Sequence, residues 1–104
     1  MGEGIRGYDD GMLTAIVLID AEPSRIPEVA QEVANIAGVS EVFSVTGKVD
    51  LVAIVRVHEH DELAGVVSDA VSKIEGVRHT ETLIAFRAYS NKDLEQAFAL
   101  GLDD

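Results

Sequence analysis

Leu13, Ala15, Ile16, Val17, Val29, Val33, Ile36, Gly38 and Val39 recur 38 positions later as Leu51, Ala53, Ile54, Val55, Val67, Val71, Ile74, Gly76 and Val77. A chain that repeats itself at this period is built from two copies of one supersecondary unit. Each copy reads as an apolar strand, an amphipathic helix, a Gly-Val pair and a second strand. Two copies in series give β-α-β-β-α-β. That order predicts an α+β, ferredoxin-like fold, a four-stranded antiparallel sheet with two helices on one face.

A length of 104 residues allows one domain with a single core. Cysteine is absent, which excludes disulfides, zinc–thiolate centres and thiol nucleophiles. No apolar run reaches the ~18 residues of a membrane-spanning helix. The start, MGEGIRGYDDG, lacks the apolar segment of a secretion signal. A soluble, cytoplasmic chain is expected. Residues 1–11 read as a flexible leader, 12–89 as the folded domain and 90–104 as a C-terminal helical tail. Nineteen Asp+Glu against eight Lys+Arg give a net charge of −11. The basic residues are scattered singly, without the clustered positive footprint that neutralises nucleic-acid phosphates. Direct nucleic-acid binding and attachment to anionic membranes are therefore not expected.

Strands are expected over 12–19, 40–46, 51–57 and 78–89. After the first, Ser24 is the candidate N-cap and Pro27 fits the first helical turn. Ile26, Val29, Ala30, Val33 and Ile36 then recur at helical spacing until Gly38. After the third strand and a His58–His60 loop, Asp61 is the candidate N-cap. Leu63, Val66, Val67, Ala70, Val71 and Ile74 form the apolar side of that helix until Gly76. Asn91, Leu94, Ala97 and Phe98 suggest a short terminal helix.

Strands one and three do not alternate cleanly. Ala15–Ile19 and Leu51–Val55 are apolar on both faces, whereas helices cover only one side of such a sheet. The second face needs a cover. A second copy of the same sheet supplies one, giving a sheet-to-sheet homodimer that can close into an α+β barrel. A monomer shielded by its own C-terminal helix is the alternative.

Catalytic patterns are missing: no Ser-His-Asp order, no phosphate-binding loop and no H-E-x-x-H. His58-Glu59-His60 places two imidazoles at i, i+2, a spacing that suits solvated loop histidines better than a metal site. No cofactor or metal is implied, and the chain does not read as an enzyme. Thr46-Gly47-Lys48-Val49-Asp50 is more informative. A glycine there lets backbone N–H groups approach a carboxylate, and an acid a few residues on accepts from an ammonium. Those two features suit a free amino acid. The same residues also suit a plain hairpin in which Gly47 supplies φ > 0 and Asp50 faces solvent. On strand four, Thr80 and Thr82 share a face and offer two hydroxyls, with Leu83 and Ile84 as apolar wall.

IAGVSEVFSVTGKVDLVAIVRVHEHDELAGVV, followed by IEGVRHTETLIAF, resembles the effector domain of the leucine- and asparagine-responsive (Lrp/AsnC) regulators. The resemblance runs from about residue 12 to 89. It rests on the Gly-Val after each helix, the V-T-G-x-x-D turn and the T-x-T run on strand four. It implies sheet-to-sheet dimers that assemble into rings, octamers or decamers, with small effectors, usually amino acids, bound between dimers. By motif it assigns ligand binding to Gly47, Asp50, His60, Thr80, Thr82, Leu83 and Ile84. Family regulators carry an N-terminal helix-turn-helix that residues 1–11 cannot hold, so a stand-alone effector domain is implied, acting on transcription indirectly by co-assembly with DNA-binding relatives. Lys48 departs from the G-D-x-D form of the family turn. A structural oligomerisation module, or a cofactor-independent monooxygenase or isomerase on the same barrel architecture, are the alternatives.

Overall fold

Alternation of apolar residues at period two, broken by two stretches at helical period, builds the expected sandwich of helices on a sheet. In the computed structural model, which describes residues 11–90, the strands are β1 (Leu13–Ala21), β2 (Val39–Ser44), β3 (Leu51–Val57) and β4 (Val77–Ala85). They form one antiparallel sheet in the order β2-β3-β1-β4. The helix α1 (Ile26–Ala34) joins β1 to β2, and a helical segment opening with α2 (His60–Ala64) joins β3 to β4. The two most apolar strands occupy the centre. The helix expected from Asn91 lies outside the described residues.

One face of the sheet makes the core. Ala15, Val17, Ile19 and Ala21 of β1 and Leu51, Ala53, Val55 and Val57 of β3 are buried there. Val29 and Val33 of α1, with Leu63, Val66 and Val71 of the second helical segment, close over them. Each fully buried valine or leucine contributes about 1.5–3 kcal/mol from apolar burial. No polar side chain is buried among the described residues.

Paired residues in an antiparallel ladder point to the same side, so the register defines the other face. It carries four rows: Arg56–Thr14–Ala85, Glu41–Ile54–Ile16–Leu83, Phe43–Val52–Leu18–Glu81 and Asp20–His79. None of these residues is buried, and Phe43 and Leu83 are 47% and 43% exposed. The apolar second face is real, and none of its described residues is fully buried.

Gly38 and Gly76, equivalent in the repeat, follow the two helices with φ of +97° and +104°. Each also touches the opposite repeat. A Cβ on Gly38 would lie 3.1 Å from Val57 Cγ1, and one on Gly76 would lie 3.0 Å from both Arg25 Cβ and Val29 Cγ2. The halves are interlocked, each glycine admitting a side chain of the other half.

The second helix begins earlier than expected. Its N-cap is Glu59, not Asp61. The N–H groups of His58 and Glu59 donate to Glu62 Oε1 at 2.6 and 3.0 Å, completing a capping box that draws His60 from the loop into the helix. The backbone then widens into a π-helical stretch, Gly65–Ala70, and tightens into a 3₁₀ turn, Val71–Lys73. Val71 is buried like its counterpart Val33, but Val66 rather than Val67 is buried before it. In the wider turn, residues five apart come into line.

Other boundaries differ as well: β1 runs to Ala21 rather than 19, and β2 ends at Ser44 rather than 46. Ser24 lies in a 3₁₀ turn, Pro23–Arg25, and caps neither it nor α1, because Pro23 fixes φ and starts the turn first. β4 ends at Ala85 rather than 89 because its pairing with β1 stops at Thr14↔Ala85.

Gly76→Ala is expected to cost about 2–4 kcal/mol, combining backbone strain with overpacking. Gly47→Ala has φ +127° but open space around the site, so it is expected to cost about 1–2 kcal/mol. Urea denaturation of both variants checks the order. Glu62→Ala, which removes the acceptor of two N–H groups, is expected to cost about 1 kcal/mol in the same assay.

Candidate functional site

Residues 45–50 join β2 to β3 and close the sheet at one end. The Val45 N–H donates to the Asp50 carbonyl at 3.1 Å, and the Asp50 N–H donates to the Ile19 carbonyl at 3.0 Å. Gly47 at the tip is exposed with φ +127°, and Lys48 beside it is exposed too. Asp50 is half-buried, and its Oδ2 accepts from the Ala21 N–H at 2.9 Å. That bond falls where the β1–β4 register shifts between Asp20 and Ala21. The β1–β3 ladder ends at Ile19↔Leu51, which leaves the Ala21 N–H on that side without a strand partner, and the carboxylate takes that place. Asp50 is thus pinned to β1 by one oxygen, with Oδ1 outside the bond. Among the described residues no Lys48–Asp50 ion pair forms.

β4 presents its residues to two sides. Thr80, Thr82 and Ile84 pair with Ile19, Val17 and Ala15 and share their helix-side face. Leu83 pairs with Ile16 and belongs to the open face. Thr80 and Thr82 are half-buried, and Leu83 and Ile84 are exposed. Asp50 and Thr80 flank β1 at the same end, two strand spacings or about 10 Å apart. His60 follows the far end of β3, exposed, about 20 Å from Asp50 at the rise of an extended strand. One protomer therefore brings Gly47, Asp50 and Thr80 to one end of the sheet, with Thr82 and Ile84 further along β4. It does not bring His60 to that end, and Leu83 faces the other side of β4.

Two cavities open at the other end of the sheet. One, of about 460 Å³, lies between the end of α1, the end of β3 and the second helical segment, with Gly38, His58, Glu62 and Val66 in its wall. The second, of about 370 Å³, is lined by Met12, Thr14, Arg56, Ala85, Phe86, Arg87 and Ala88. Neither includes a residue assigned to ligand binding by motif. Arg56 and Arg87 escaped the sequence reading because they stand alone in the chain. Only strand register places them together. Among the described residues no three His, Asp or Glu side chains converge to hold a metal, and no helix is long and apolar enough to cross a membrane.

Known proteins share this arrangement. The family profile of the Lrp/AsnC ligand binding domain matches residues 14–94. An uncharacterised HTH-type transcriptional regulator of Pyrococcus abyssi is 36% identical over 78 residues, covering 75% of this chain and 48% of the relative. A Thermus thermophilus protein of known structure is 46% identical with a TM-score of 0.73, covering 76% of this chain and 99% of its own. A Neisseria meningitidis transcriptional regulator, solved in complex with L-Met, shares the fold with a TM-score of 0.69 at 16% identity, covering 76% of this chain and 53% of its own. The chain spans about half the length of the sequence relatives it matches. A family profile that runs through both repeats, the turn at Asp50 and all four strands makes this chain a member of the Lrp/AsnC ligand-binding-domain family.

Proposed function

We propose that the chain is an amino-acid-responsive regulatory module that acts by assembling with copies of itself, without catalysing a reaction. Membership of a ligand-binding family supports a regulatory role. The observation that carries the finer reading is the end of the sheet where a glycine-tipped turn stands beside a carboxylate held by one oxygen. In this reading the backbone N–H at Gly47 donates to the ligand carboxylate. Asp50 Oδ1 and the hydroxyl of Thr80 or Thr82 accept from its ammonium. Ile84 extends the apolar wall. His60 is separated from that end of the sheet within one protomer, so in this reading it enters from a neighbouring copy and the ligand lies at a seam between dimers, whereas Leu83, on the open face that the dimer covers, lies outside the site. The L-Met complex of the Neisseria regulator favours an amino acid as the ligand class.

The uncovered rows through Ile16, Leu18, Val52 and Ile54 favour a sheet-to-sheet dimer as the unit of assembly. Family membership supports further assembly of these dimers, in this reading into rings of eight or ten copies. Ligand shifts such an equilibrium only through different affinities for two assembled states, and a tenfold preference per site is about 1.4 kcal/mol. Transcription is then affected by co-assembly with DNA-binding relatives in the cytoplasm. A purely structural role for the turn is the second reading, favoured by the bond from the Ala21 N–H to Asp50.

Thermal melting with each of the twenty amino acids separates the two. A true effector at a hundredfold excess over its Kd adds about 2.7 kcal/mol and raises Tm by several degrees. Asp50→Asn keeps an oxygen for the Ala21 N–H but removes the charge opposite the ammonium. It is expected to keep the unliganded Tm within about 3 °C and to abolish the ligand shift. A flat response of the unmodified chain to all twenty leaves only the structural reading.

A further inference from the structure

The turn at 45–50 carries one cation to which the proposed site gives no task. Lys48 follows Gly47 at the tip and is exposed. Its Cα stands about 3.8 Å from that of Gly47 and at most about 7 Å from that of Asp50. An ammonium on a flexible four-carbon stem there lies within the span of a single amino-acid ligand. Lys48 and Asp50 form no ion pair, and the carboxylate is instead held toward β1 by the Ala21 N–H. Two other carboxylates near this end are directed elsewhere. Asp20 lies in the open-face row with His79, and Glu22 is engaged by the guanidinium of Arg78.

We propose that Lys48 reads the ligand's side chain, so that the site prefers an amino acid with a second carboxylate, of the aspartate or glutamate class, over its uncharged amide. The proposal rests on the amino-acid reading of this turn and deepens it by naming the ligand class. A neutral amino acid brings one carboxylate and one ammonium. With the Gly47 N–H on the first and Asp50 Oδ1 on the second, Lys48 meets no opposite charge and stands near the ligand's own ammonium. A side-chain carboxylate gives every group a counterpart: Gly47 N–H to the α-carboxylate, Asp50 to the ammonium, Lys48 to the second carboxylate. Charge-assisted bonds of this kind are about twice as strong as neutral ones. A basic ligand sets ammonium against ammonium. The net charge of −11 opposes an anionic ligand weakly, because charges beyond about 8 Å are screened at physiological salt. The nearest charge decides. An exposed pair contributes little, but a ligand enclosed at a seam between copies takes Lys48 out of open water and strengthens the contact.

Isothermal titration calorimetry of the full chain with L-glutamate, L-glutamine, L-aspartate and L-asparagine compares ligands of like shape and different charge. Each acid is expected to bind about tenfold tighter than its amide, a difference of about 1.4 kcal/mol. Lys48→Gln is expected to bring that ratio to within about twofold while changing the affinity for the amides less than about threefold, and Lys48→Glu to reverse it. Acids that bind no better than their amides overturn the proposal. So does a Lys48→Gln variant that weakens acid and amide by the same factor, which places the lysine on the carboxylate common to all amino acids. A chain that binds a neutral amino acid and neither acid overturns the selectivity alone and leaves the amino-acid reading standing. A chain that binds none of the twenty amino acids overturns both.

Discussion

Everything in this molecule is hung on the pairing of β1 with β3, from Leu13↔Val57 to Ile19↔Leu51. These strands come from different repeats, so their ladder joins the two halves along the middle of the sheet. Their inward residues form the floor of the core and their outward residues the floor of the open face. An apolar side chain on the outward face contributes little to the isolated protomer, since it remains wet there. The same pairing that founds the fold therefore also supplies the face on which the proposed dimer rests.

In the proposed site, Asp50 serves structure and recognition together. Its Oδ2 takes the place of a ladder bond where the β1–β3 pairing ends, which fixes the position of the carboxyl group relative to the sheet. A carboxylate held in this way loses little freedom when a cation approaches its other oxygen. The usual opposition between a structural and a binding role therefore weakens here. Anchoring by the Ala21 N–H is what a pre-organised acceptor requires.

The repeat made the architecture legible, because residues such as Val33 and Val71 or Gly38 and Gly76 occupy equivalent places and behave alike in the structure. Element ends were less so. The start of the second helix turned on a side-chain hydrogen bond from Glu62 that outcompetes the more familiar Asp61 cap, and the end of β4 turned on where its neighbour stopped. For the candidate site, the turn was legible because its residues are consecutive, whereas the placing of Thr80 at the same end of the sheet comes from strand pairing. The displacement of His60 to the opposite end of β3, and the division of Leu83 from Ile84 between faces, depend on strand direction and pleat. Neither is visible in a motif read along a line. Arg56 and Arg87 went unread for the same reason, since a two-dimensional surface made them neighbours.

The π-helical stretch Gly65–Ala70 carries the chief geometric difference between the two halves. A backbone with wider turns holds weaker hydrogen bonds than an α-helix of equal length, so it persists here because Val66 is buried through it. The 38-residue offset is the same on both sides of that stretch, Val29 to Val67 and Val33 to Val71, so the halves differ in winding and not in length. The departure from internal symmetry is therefore a matter of how one helical turn is wound, beside the cavity walled by Gly38, His58 and Glu62.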